Sequence, residues 1–431
     1  ISGVSIERTP DVGEFVRDNN GNITGIKITN YSGGYTGYKI GLIFTADKAG
    51  TGTNNLTNDG TIEFHGHHSI GIQVDADNSP NAVVNAVNNT SKNITLHGGS
   101  SIGMKLSSLV ANTSKVENSG TISLGGGSSA GIAVLEEGGS AIRAYGNNVK
   151  NTGTGIINVN AGESIGMYLK LGEADKIIND GTINLTGSTQ YGIVVDDKYS
   201  YDAAEILLNN PIKISGSDSA GVVFKGWMDL DGGAAFSRSS ADNIVTTLPG
   251  TSRASIVNLD ISGSKNTGVY FQSASGNTFA LNDYKIDIAG SNNTGIFVKQ
   301  GTVNLGSTGT NHAINITGGS ENIGIFTNVA MTSAADITVN ADKSTGMFAK
   351  NAGTSTSTGK ISATGASVKA LIADNSTITS SGKVDVTGTA SSDTDGSVGL
   401  AAMNGGTITH TGGGDITVDG SASIGALGQS G

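Results

Sequence analysis

The sequence predicts an all-β protein, a right-handed parallel β-helix of about 13 rungs with inserted surface loops. Three observations favour this fold: a short motif recurs along the chain, apolar residues alternate within each copy, and glycine occurs 66 times in 431 residues. Glycine, threonine, asparagine and serine are poor helix-interior residues, which disfavours a helical protein. With only four prolines and no Gly-X-Y period, the chain is not collagen-like.

The repeat is clearest in segment 60–74, GTIEFHGHHSIGIQV, and it returns in 120–134 and 181–195. A glycine begins the second half of each copy, about 29.5 residues apart on average. These glycines are Gly71, Gly103, Gly131, Gly166, Gly192, Gly221, Gly268, Gly295, Gly324, Gly346, Gly399 and Gly425, with Ala370 in the same place once. A constant core with connections of variable length is typical of stacked coils. A propeller blade needs about 40 residues, which the shortest step does not provide.

Period-two alternation of Ile, Val and Thr predicts two short strands in each copy. The segment Val116-Glu117-Asn118-Ser119-Gly120 predicts a third strand and its turn. We expect residues 1–54 to form less regular rungs or a cap, although Ile28 and Gly37 keep the nine-residue spacing. Residues 55–431 form the repeat β-helix, with loop insertions near 75–92 and 225–258. Because the chain opens on Ile1 and ends without a closing signal, we expect it to be a segment of a longer protein.

Strand alternation assigns a direction to each position after the repeat glycine. The first and third residues, Ile72 and Val74 in one copy, should point into the core. The residue between them should point outward, and in later copies this outward residue is apolar: Val194, Val223, Tyr270, Phe297, Phe326, Phe348 and Ile372. Either an inserted loop covers this column, or it is an exposed binding stripe beside a shallow groove along the glycines. An exposed stripe would suit a protein partner or the apolar face of a sugar.

The longest insertion, between Phe224 and Leu259, is a second candidate contact region. It contains Trp227, Phe236, Arg238 and Arg253. Tryptophan and arginine are over-represented at interface hot spots, and long loops on a compact scaffold are often functional. The alternative is a small hairpin packed against the coils.

No catalytic residues are predicted. The pattern G-x-S-x-G occurs in 99–103, 127–131 and 162–166, always at the same place in the repeat. A hydrolase nucleophile elbow needs a strand-to-helix turn, whereas these serines precede strands. The five arginines share no repeat position, which disfavours an enzyme that cleaves acidic polysaccharides. A β-helix polysaccharide lyase or hydrolase remains the alternative function.

The sequence also predicts no metal site, no cofactor, and no nucleic acid or anionic membrane as a partner. His65 and His97 occupy equivalent places in consecutive copies and should stack, which could make a zinc site. Because the same column holds Thr186 and Ser215 elsewhere, we interpret it as a polar turn ladder. The net charge of −11 disfavours nucleic acid and anionic membranes as partners. There is no cysteine and no apolar run of about 18 residues.

The copies of N-x-G-T-I-x-apolar-x-G-x-x-x-x-G-I that start at Asn58, Asn118 and Asn179 carry a family resemblance. They resemble the repeats in passenger segments of monomeric type V autotransporters, and especially the very large fusobacterial-type outer-membrane adhesins. The resemblance implies a signal peptide upstream and a C-terminal membrane barrel downstream. The exported rod would be a monomer at the surface of a Gram-negative bacterium.

Such a rod implies a role in adhesion and virulence. Its partner would be a host cell-surface protein, such as an immunoglobulin-like receptor, a glycan, or a neighbouring bacterial surface. A spacer that binds nothing is the third possibility.

Overall fold

The computed structural model confirms an all-β fold of parallel strands stacked as a β-helix, with no helix in the residues it describes. It describes residues 4–5, 13–17, 23–28, 39–45, 53–75, 83–107, 115–135, 149–171, 176–197, 205–225, 256–272, 278–281, 283–306, 312–388 and 396–429. The described coils fall into two compact units. One ends at Ile212, and the other comprises Lys213–Phe224 and the coils after Val245.

Each regular coil of the first unit contains three strands, which we call first, second and third in chain order. The first strands are Thr53–Asn58, Val83–Asn88, Lys115–Asn118, Val149–Asn151, Lys176–Asn179 and Glu205–Leu208. The second strands are Ile23–Ile28, Thr61–Phe64, Asn93–Leu96, Thr121–Leu124, Ile156–Val159 and Thr182–Leu185. The third strands are Lys39–Thr45, Ser69–Asp75, Ile102–Ser107, Ala130–Leu135, Ile165–Leu171 and Tyr191–Asp197. Each strand pairs in parallel with its equivalent one coil away.

The second unit has the same plan. Its third strands are Ala220–Lys225, Thr267–Gln272, Thr294–Gln300, Ile323–Thr327, Thr345–Ser357, Lys369–Ser380, Val398–Met403 and Ile424–Gln429. Its second strands are Ile256–Ile261, Asp283–Ile288, His312–Ile316, Asp336–Asn340, Ile361–Thr364, Val384–Thr387 and Ile416–Asp419, and Ile212–Ile214 lies at the boundary of the units. First strands are Thr278–Leu281, Thr302–Leu305, Met331–Ser333 and Thr407–His410. In Thr345–Ser357 and Lys369–Ser380 a third strand continues into the next first strand.

The interior contains the residues that alternation assigned to it. Ile72 and Val74 are at most 1 % exposed, and their register partners Met104 and Leu106 are also buried. The preceding second strand contributes Ile62 and Phe64, again on alternate positions. Each coil therefore buries its own apolar residues against those of the next coil.

The repeat glycines stand in a file within each unit, as the repeat predicts. A Cβ atom built on Gly103 would lie 2.5 Å from the carbonyl oxygen of Gly131 and 2.7 Å from Ile122 Cγ2. On Gly295 it would lie 2.6 Å from the oxygen of Gly324. Since this space is already filled by the next coil and an interior isoleucine, the expectation of a groove along the glycines is wrong.

A buried asparagine ladder closes the turn between first and second strands in the first unit. Asn58, Asn88, Asn118, Asn151 and Asn179 end successive first strands, and each is fully buried. The side-chain amide of each of the first four donates to the side-chain oxygen of the next asparagine at 2.7–2.8 Å, and that of Asn179 donates to the Gly181 carbonyl at 3.1 Å. The ladder satisfies polar groups that burial would otherwise leave without partners.

Two expectations about segment boundaries are corrected. In the N-terminal region the equivalents of Ile62 and Gly71 are Ile26 and Gly41, not Ile28 and Gly37. The chain there is less regular because Gly13–Arg17 and Val4–Ser5 pair antiparallel to their neighbours. Segment 75–92 is not simply an inserted loop, since it contains the first strand Val83–Asn88.

Candidate functional site

Four of the predicted binding residues form an aromatic ladder in the second unit: Tyr270, Phe297, Phe326 and Phe348. Parallel pairing of the third strands places each ring opposite the next in register. Successive ring centroids are 5.3, 5.0 and 5.3 Å apart, which is about one coil spacing. The aromatic ladder is therefore a continuous row of contacting rings.

The aromatic ladder faces away from the interior. On the strand of Phe297 the two neighbours, Ile296 and Val298, are completely buried, whereas Phe297 itself is half-buried. Tyr270, Phe326 and Phe348 are half-buried in the same way. Because strand neighbours point to opposite faces, these four rings lie on the outer surface with part of each ring open to solvent.

The remaining apolar residues of the predicted outward column are buried. Val194 in the first unit is fully buried, and Tyr168 one coil earlier is 1 % exposed. In the second unit Val223 and Ile372 are buried, and Ile372 packs in a cluster with Val398 and Ala401. Of the apolar residues in the predicted outward column, only those of the aromatic ladder are therefore partly exposed, as a binding stripe requires.

Polar and charged groups flank the aromatic ladder. The Tyr270 hydroxyl donates to Gln272 Oε1 at 2.7 Å. Lys299 and Lys350, two residues beyond Phe297 and Phe348, are exposed, and Lys350 lies 3.8 Å from Asp374. An apolar row with a polar margin has the layout of a protein contact surface.

The predicted loop residues Trp227, Phe236, Arg238 and Arg253 lie outside the described residues. Their part in binding stays a prediction.

The G-x-S-x-G serines have structural roles. Ser101, Ser129 and Ser164 are at most 1 % exposed. The Ser101 hydroxyl accepts the Ser69 backbone N–H at 3.1 Å and donates to the Gly99 carbonyl at 3.2 Å, and the same pattern recurs one coil on at Ser129. A buried hydroxyl that joins neighbouring coils in this way is unavailable as a nucleophile.

The two stacked histidines are joined by a carboxylate that the sequence reasoning missed. The rings of His65 and His97 stack with centroids 4.3 Å apart and planes 9° apart, as their equivalent places predict. Glu63 Oε1 lies 3.3 Å from His65 Nε2 and 3.1 Å from His97 Nε2. Alternation provided the signal, because residues 63 and 65 share the outward face.

No protein-family model, curated protein or solved structure matches this chain. Within the described ranges no helix is long and apolar enough to cross a membrane.

Proposed function

We propose that this chain is an adhesive module of a bacterial surface protein, and that the aromatic ladder is its receptor-binding surface. The observation behind the proposal is a row of four contacting aromatic rings that remain partly exposed to solvent. The coil interior is formed by other residues, such as Ile296 and Val298, so the row lies outside it. Contiguous exposed aromatic surface is typical of recognition sites.

We propose a protein receptor rather than a glycan. Sugars stack flat on aromatic faces, and a linear glycan would need a run of nearly coplanar rings. Successive rings of the aromatic ladder are instead inclined by 86°, 42° and 59°, so the four rings do not share a common plane. Such a surface suits interdigitating apolar side chains of a protein, with Lys299 and Lys350 at its margin.

The wider setting is proposed from the repeats. Their resemblance to autotransporter passengers supports a monomeric, surface-displayed rod in a Gram-negative bacterium, with Trp227, Phe236, Arg238 and Arg253 in a second contact loop. A non-enzymatic role is supported by the buried serines of the G-x-S-x-G matches.

Binding of the purified chain to host epithelial cells and to neighbouring bacteria tests the proposal. The double variant F297S/F326S should lose most of the binding, because it removes the two central rings. The control is Ile156→Ser, which removes an exposed apolar side chain (37 % exposed) that belongs to the first unit and is not part of the aromatic ladder. Circular dichroism should show that both variants keep the wild-type β spectrum.

Treatment of the target cells separates the receptor classes. Protease treatment should abolish binding and periodate oxidation of glycans should not, if the receptor is a protein. Unchanged binding by F297S/F326S would contradict the role of the aromatic ladder, and wild-type chain that binds no cell type would indicate a spacer. Deletion of 226–256 tests the predicted loop separately.

A further inference from the structure

We propose that Glu63, His65 and His97 form a zinc-binding site on the outer surface of the first unit. The cluster combines two imidazoles and one carboxylate, the ligand types that Zn²⁺ accepts from nitrogen and oxygen donors. All three ligand atoms lie within 4.8 Å of one another. The site is independent of the aromatic ladder and of the proposed adhesion.

The distances fit a tetrahedral ion. Zinc bonds of about 2.0–2.1 Å place neighbouring ligand atoms of a tetrahedron about 3.3 Å apart. The two distances from Glu63 Oε1, 3.3 Å to His65 Nε2 and 3.1 Å to His97 Nε2, are close to that value. The carboxylate oxygen therefore already lies at nearly the tetrahedral ligand spacing from each imidazole, whereas the two stacked rings, with centroids 4.3 Å apart, still have to turn toward the ion.

The rings can turn toward a common ion. The two ring planes are only 9° apart, and each nitrogen lone pair lies in the plane of its own ring, so binding of one ion requires rotation of the imidazoles about their Cβ–Cγ bonds. The side chains of His65 and His97 are 37 % and 43 % exposed, which leaves room for that rotation. Glu63 is 29 % exposed and extends from the middle of the strand Thr61–Phe64, whose backbone fixes its position.

The fold keeps the cluster accessible on one side. Gly125 occupies the place equivalent to His97 in the following coil, and a Cβ built there would lie 3.5 Å from His97 Cα. Because Gly125 has no side chain, nothing projects over His97 from that position. Three protein ligands and an open fourth position match zinc sites that bind water or an outside ligand.

A bound ion would link two coils. Glu63 and His65 belong to one coil and His97 to the next, and Glu63 is in register with Thr95. Since a ligand that binds only the folded state stabilises it, zinc should raise the melting temperature of this chain.

Titration of the full chain with zinc chloride, in competition with a chromogenic chelator, tests the site. We expect one zinc ion per wild-type chain, and affinity more than about tenfold weaker in Glu63→Gln and in His97→Gln. The matched control is Glu117→Gln, because Glu117 is 28 % exposed, like Glu63, and lies near Lys115 instead of histidines. It should bind zinc like the wild type.

Thermal unfolding provides the second measurement. Zinc should raise the melting temperature of the wild type and of Glu117→Gln but not of Glu63→Gln. The proposal is overturned if the wild type binds no zinc, which would leave a hydrogen-bonded histidine–glutamate ladder. It is also overturned if Glu63→Gln and His97→Gln bind as tightly as the wild type. Two further exposed histidines, His67 and His68, precede the strand Ser69–Asp75, and loss of the ion only in the double variant H67Q/H68Q would overturn the proposal as well.

Discussion

The side-chain amide of Asn88 donates a 2.8 Å hydrogen bond to Asn118 Oδ1 in the next coil, and both side chains are fully buried. Asn118 in turn donates to Asn151 at 2.8 Å and to the carbonyl of Ile156 at 3.3 Å. One asparagine thus serves as acceptor and donor between three coils. This arrangement explains why asparagine recurs at the end of the first strand.

Replacement of Asn118 by alanine should destabilise the first unit markedly. The substitution leaves the buried Asn88 amide with only its 3.5 Å contact to the Lys92 carbonyl, and it removes the donor to the buried Asn151 oxygen. These losses should lower the free energy of unfolding by about 2–4 kcal/mol in total. Urea unfolding should show this loss. The control is Asn184→Ala, since Asn184 also bonds to an asparagine one coil away, at 2.9 Å, but is only half-buried. Equal losses in the two variants would show that burial of the ladder is unimportant.

Replacement of Gly268 by alanine should also lower stability. A Cβ there would lie 2.4 Å from the oxygen of Gly295 and 3.1 Å from Leu259 Cδ1, and overpacking of this kind costs about 1–3 kcal/mol. Gly425 occupies the same place in the repeat, but a Cβ built there would have its nearest neighbour, Val418 Cγ2, at 4.0 Å. Gly425→Ala is therefore the matched control. Thermal unfolding of both variants measures the difference. A melting temperature of Gly268→Ala equal to that of Gly425→Ala would refute the close approach of the coils.

Truncation of two adjacent residues on one strand, Ile296 and Phe297, should lower the free energy of unfolding by different amounts. Ile296→Ala removes a fully buried side chain and should cost about 2–5 kcal/mol. Phe297→Ala removes a larger but half-buried ring and should cost about half of that or less. Chemical denaturation of the two variants compares them directly. A larger loss in Phe297→Ala would mean that the aromatic ladder is part of the core rather than a binding surface.

The ion pair of Lys150 and Asp180 should make stability depend on acid pH. Burial raises the pKa of Asp180, but hydrogen bonds from Lys150 and Asn209 and the charge of Lys150 outweigh it, so the pKa lies below its ordinary value of 3.8. The pair, 2.5 Å apart, therefore stabilises the folded state above pH 3.8, and this contribution disappears as pH falls through the lowered pKa.

Lys150→Met should accordingly melt below the wild type at pH 6 and at the same temperature near pH 2. Because both side chains are partly exposed, the difference at pH 6 should be about 1 kcal/mol or less. Lys115→Met is the control, since Lys115 lies 3.9 Å from Glu117 and is half exposed. A gap between Lys150→Met and wild type that stays constant from pH 6 to pH 2 would contradict the assignment.

The coil and the residues of its interior can be predicted from the amino-acid sequence alone. The recurring glycine and the alternation around it predicted that Ile72 and Val74 point inward, that the glycines stand in file, and that His65 stacks on His97. These features depend only on strand period and on equivalent residues lying one coil apart, so a single sequence contains them.

The solvent exposure of the outward residues, and the contacts between side chains of different coils, could not be predicted without the folded chain. Val194 and Phe297 have the same place in the repeat, yet one is fully buried and the other half-buried, because exposure depends on what packs over the coil. Glu63 lies 34 residues from His97, and it meets that ring because stacking of the coils brings the two side chains together. Period and composition describe a strand, whereas exposure and contact depend on its neighbours in space.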